Sequence, residues 1–80
     1  MINYEELLPA DKKALEKAIE NEAFDFQIGY LNSRIADLEQ EMETCSQEDD
    51  YVADLNKEVN RLNRVLYQIC KAKREAFFLG

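Results

Sequence analysis

Six apolar side chains, Ile28, Leu31, Ile35, Leu38, Met42 and Cys45, follow one another at steps of three, four, three, four and three. That rhythm puts a narrow apolar seam on one side of a helix, and such a seam needs another surface against it. The second half of the chain repeats it at Val52, Leu55, Val59, Leu62, Leu66 and Ile69. Between the two lies the polar stretch 46–50. There Ser46 with Asp49 has the form of a capping box, and Asp49 or Asp50 could equally cap the second helix. Folding the chain back at this stretch sets Cys45 against Val52, Leu38 against Val59 and Ile28 against Ile69. The residue numbers of each facing pair add to 97 along the whole seam. An a position then always meets a d position, as an antiparallel coiled-coil hairpin requires. Two unrelated helices have no reason to keep that sum.

Only two glycines and one proline interrupt the 80 residues, which argues for helices and against a sheet. The expected fold is all-α, a single helical domain built on the hairpin. An N-terminal segment spans 1–9, the first helix 10–45, the turn 46–50 and the second helix 51–78. Gly29 costs about 1 kcal/mol inside a helix. With Ser33 and Ala36 it makes a small-residue strip on the back of the first helix, where a neighbouring helix could come close.

The register fails at the end away from the turn. Continued outward, it sets Phe24 against Lys73 and Asn21 against Ala76, a poor core. A second stripe, Leu15, Ile19, Ala23, Phe26 and Tyr30, lies roughly 135° around the helix from the first. One helix cannot bury both stripes against one partner. Either it breaks near 21–25, or it continues and shows its other face to something else. Val65, Cys70, Phe77, Phe78 and Leu79 add further apolar surface, as do Ile2, Tyr4, Leu7 and Leu8, with Pro9 placed to begin a helix. A core of this size is marginal alone. A partner or dimer interface is therefore expected at this open end, through Phe26, Tyr30, Phe77 and Phe78 with Ile19 and Leu15. Two hairpins joined there as a homodimer would make a four-helix bundle. The alternative is that residues 1–20 fold back and cover all four of these rings.

Charge is uneven. The net −7 divides into −4 over residues 1–25, −6 over 26–50 and +3 over 51–80. The simplest account is two helices of complementary charge. The sharper one is an acidic surface, Glu39, Glu43, Glu48, Asp49 and Asp50, aimed at a protein with a basic surface, such as one that handles nucleic acid. With no histidine, a Ser–His–Asp or Cys–His nucleophile pair is impossible. A calcium loop would need ligands at alternating positions and a glycine, and ETCSQEDDYVAD has neither. Cys45 and Cys70 fall about 27 Å apart along the hairpin, too far for a bridge, and read as small core residues. No catalytic residue, metal or cofactor is expected. No apolar run has the length of a membrane span, so the expectation is a cytoplasmic protein without a membrane partner.

The basic residues of the second helix include the pairs Arg61/Arg64 and Lys71/Arg74, with Tyr67 able to stack on a base. A short acidic hairpin that dimerises resembles, in plan, the Rop family of plasmid RNA-binding proteins, which implies an RNA-binding dimer. Residues 50–64, DDYVADLNKEVNRLN, resemble the second helix of the short phosphatases that dephosphorylate sporulation response regulators, with Val52, Leu55, Glu58 and Leu62 in matching places. Where that family has Ser-Gln-Glu-Leu-Asp, this chain has NKEVN. Asn56 replaces the serine, Lys57 the glutamine and Asn60 the aspartate. The expected role is non-catalytic: a small module that binds another protein and inhibits or chaperones it. RNA binding and a degenerate aspartyl-phosphate phosphatase are the alternatives.

Overall fold

The computed structural model describes residues 2–44 and 49–79, and for Asp49, Phe78 and Leu79 the backbone alone. A 3-10 turn at Tyr4–Glu6 precedes four helices: α1 (Pro9–Ala14), α2 (Glu16–Glu20), α3 (Phe24–Thr44) and α4 (Asp49–Leu79). Among the described residues there is no strand. Helices α3 and α4 pack as the hairpin. Leu31, Ile35 and Leu38 of one and Leu55, Val59, Leu62 and Ile69 of the other are buried, with Ile28, Met42 and Leu66 partly buried against them. The heptad rhythm is thus spent on the chain's own second half. Cys45, Ser46 and Glu48 lie outside the described residues, and with them the capping box.

At the open end the molecule departs from the simple register. Val65, surplus by the pattern, is fully buried. The N-terminal segment packs over this end: the Tyr4–Glu6 turn packs on α4, and α2 packs on α3. Leu7, Leu15 and Ala18 are buried, with Ile2, Tyr4, Ile19, Ala23 and Phe24 packed against the core. The chain folds residues 2–20 back, but they do not cover the rings as that alternative expected, since Phe26 and Phe77 stay exposed. Much of the apolar surplus that called for a second hairpin is therefore covered by the chain itself.

The break that permits this lies at 21–23. The Ala23 N–H donates to Ala18 O at 2.8 Å and the Glu22 N–H to Ile19 O at 3.3 Å. With Glu22 at φ 53, this is a Schellman cap. Upstream, Pro9 opens α1 in its first turn, where its missing N–H costs nothing. Leu15 separates α1 from α2 at φ −95, ψ 2. The break also changes the phase between the two halves of the Leu15–Tyr30 stripe. Leu15 turns inward while Phe26 stays out. The molecule is a rod of 49 × 23 × 17 Å, and among the described residues no helix is long and apolar enough to cross a membrane.

Candidate functional site

The N-terminal strap is held by polar groups that no apolar pattern marks. Asp11 of α1 is 3% exposed, and its Oδ1 accepts from the Tyr30 hydroxyl at 2.6 Å and from Arg34 Nε at 3.1 Å. Its Oδ2 is buried without a hydrogen-bond partner among the described residues. The bond to Asp11, with burial behind it, holds the Tyr30 phenol above its ordinary pKa. Gln27 is fully buried. Its Nε2 donates to Ala18 O at 2.9 Å and its Oε1 accepts from the Tyr4 hydroxyl at 2.7 Å. One amide therefore ties the 3-10 turn, the end of α2 and the start of α3 together. Burial pushes the Tyr4 phenol up as well, with the Glu22 carboxylate adding to it. Asn3 N–H to Gln68 Oε1 (2.5 Å) and Arg64 to Glu6 (3.0 Å) fasten the strap to α4.

These contacts decide which of the expected interface residues remain accessible. Leu15 has zero exposure and belongs to the core, so it offers nothing to a partner. Tyr30 is half-buried and bonded to Asp11. Ile19 is half-buried at the outer side of α2, beside Pro9, Lys12 and Glu16. Phe26 and Phe77 stay out, 61% and 82% exposed. The side chain of Phe78 is outside the described residues. Lys73 pairs with Asp25, the neighbour of Phe24.

The other end of the rod is an acidic tip. Asp37, Glu39, Glu41, Glu43, Asp50 and Asp54 are all exposed, and the sequence from 35 to 56 holds no lysine or arginine. Glu41 accepts from the Tyr51 hydroxyl. Nothing is described for Glu48 or for the Asp49 side chain. Among the described residues, no group of three or more histidine, cysteine, aspartate or glutamate side chains could hold a metal ion.

Helix α4 carries the positive charge. Arg61 pairs with Glu58 at 3.6 Å, and the half-buried Glu58 leaves Oε1 without a hydrogen bond among the described residues. Tyr67 is 72% exposed. A cleft on one side of it is lined by Ile2, Gln68, Lys71, Ala72 and Glu75, and one on the other by Asn60, Asn63, Arg64 and Gln68. Asn56, Lys57 and Asn60, where the phosphatase signature would stand, are exposed. Cys70 is a half-buried free thiol. At Gly29 the back of α3 is open, since a Cβ added there would meet nothing within 4 Å among the described residues.

Comparison of the chain with protein-family models, with curated proteins and with solved structures finds no match in any of the three. The residues must carry the functional argument. Sequence reasoning missed Asp11, Gln27 and Arg34. One signal was available: Leu7, Asp11, Leu15 and Ala18 recur at steps of four, four and three, which places a carboxylate on an apolar face. For Gln27, one residue before the seam position Ile28, no pattern gave notice.

Proposed function

We propose that this chain is a non-catalytic cytoplasmic module that binds a protein with a basic surface and inhibits or chaperones it. One observation carries the reading. Six exposed carboxylates stand at the tip against a single cation, Lys57, which the hairpin register sets level with Gln40, whereas the acids near the strap are partly spent in pairs with Lys12, Arg34, Arg64 and Lys73. Unpaired like charges repel one another in the folded chain. A basic partner relieves that repulsion and is steered to the tip. A protein that normally holds nucleic acid has the complementary surface.

The test is capture from the native host on the immobilised chain, compared with a Glu39→Gln, Glu43→Gln, Asp50→Asn variant. A basic protein retained by the native chain, lost by the variant and released by raised salt is the expected result. Equal retention by both would remove the tip from the interaction. Self-association is proposed at the open end, where Phe26 and Phe77 remain exposed.

A further inference from the structure

We propose that the outer face of α4 around Tyr67 binds single-stranded nucleic acid, independently of the acidic tip. At 100° per residue, Asn60, Asn63, Arg64, Lys71 and Arg74 all fall within about 60° of Tyr67 on the helix, and all are exposed. From Ala53 to Phe77 no carboxylate falls in that arc, although the whole chain has 17 acids to 10 bases. The tyrosine ring stands between the two clefts, 72% exposed. An exposed ring is a stacking platform for an unpaired base of any sequence. The asparagine amides both donate and accept, as base edges do. Arg64, Lys71 and Arg74 supply charge for the backbone phosphates.

The composition of the face also selects among anionic partners. An acidic peptide would use the three cations but gain little from the ring or the amides. A duplex keeps its bases stacked on one another and would leave Tyr67 idle. A single strand uses all three kinds of group. The overall charge of −7 does not oppose this. Asp54 lies thirteen residues from Tyr67, about 20 Å along the helix. That is more than two screening lengths of ~8 Å at physiological salt. Three nearer acids moderate the site: Glu6 holds Arg64 Nε at 3.0 Å, Glu75 borders one cleft, and Glu58, on the opposite side of α4, pairs with Arg61. Binding is thus expected in the micromolar range at low salt.

The experiment is fluorescence anisotropy of a fluorescein-labelled twenty-nucleotide oligouridine titrated with the full chain at 50 to 200 mM NaCl. Three phosphate contacts predict a slope near −2 of log affinity against log salt. Tyr67→Ala should weaken binding at least fivefold, and Tyr67→Phe should stay within twofold of the native chain, because stacking does not need the hydroxyl. Lys71→Ala should reduce the salt slope by about 0.7. Circular dichroism at 222 nm confirms that each variant is folded. Glu43→Gln, at the far tip, should leave the titration unchanged, which separates this site from the protein-binding reading. The proposal is overturned by no anisotropy change at 100 μM chain in 50 mM NaCl, or by equal affinity of Tyr67→Ala. It is also overturned by equally tight binding of a duplex, or of polyglutamate with indifference to Tyr67.

Discussion

Asp11 and Glu22 are the residues whose chemistry most directly shapes the strap. A carboxylate 3% exposed survives because an arginine and a phenol both donate to one of its oxygens. The phenol is then stabilised in its neutral form, so the pKa of Tyr30 is raised by folding. A raised pKa contributes stability that is fully present below the ordinary tyrosine value of 10.0 and is lost as pH rises through the folded value. Thermal melts from pH 8 to 11 should show this loss above pH 10, and Tyr30→Phe should reduce it. The same substitution should lower stability by about 1 kcal/mol at neutral pH, since one hydrogen bond is gone. An unchanged alkaline profile in Tyr30→Phe would mean that other groups set it. Glu22 is the second case. A Schellman cap favours glycine at the position Glu22 occupies, because a Cβ strains the left-handed backbone. Glu22→Gly should therefore stabilise the chain by ~1 kcal/mol, read as a shift of the urea midpoint.

At the scale of elements, the hairpin was legible because its apolar periodicity is strict on both halves. Leu38 is 7% exposed in the seam, while Glu41 is exposed and its carboxylate accepts from the surface hydroxyl of Tyr51. Leu38→Asp should unfold the protein, since an unpaired buried carboxylate costs several kcal/mol. Glu41→Ala should change stability by under about 1 kcal/mol. Comparable melting temperatures for the two variants would disprove the packing. The strap was less legible. Its helices are six and five residues long, too short for a periodic signal to stand out. Its fastening is by single polar pairs, Tyr4 with Gln27 and Asp11 with Tyr30 and Arg34, which have no spacing rule. The break at 21–23 was visible only as a conflict between two stripes, because a glutamate occupies the position where a glycine would have announced a helix end. The acidic tip and the basic α4 were legible as charge. The cleft beside Tyr67 that Ile2 helps to line depends on where the strap docks, and charge does not record that.

For the whole molecule, the question is how much of the open end is left to bring two copies together. The strap buries Leu7, Leu15 and Ala18, so among the described residues the exposed rings Phe26 and Phe77 are the chief remainder. Two copies would contribute four rings of ~150–250 Å² each, which amounts to roughly 600–1,000 Å². Stable interfaces bury about 1,200–2,000 Å². Self-association through these rings is therefore expected to be weak. Light scattering behind size exclusion should give the 9.4 kDa monomer at low micromolar concentration, with the mass rising at several hundred micromolar. Phe26→Ser with Phe77→Ser should abolish the rise and leave helicity intact. A dimer that persists at low micromolar concentration needs more area than the rings supply. Among the described residues the strap is the remaining source: released at 21–23, it would close on a second copy through the same Asp11, Gln27 and Tyr4 contacts. Such a dimer would survive the loss of both phenylalanines and weaken on Gln27→Ala, whereas a ring-mediated one would do the reverse.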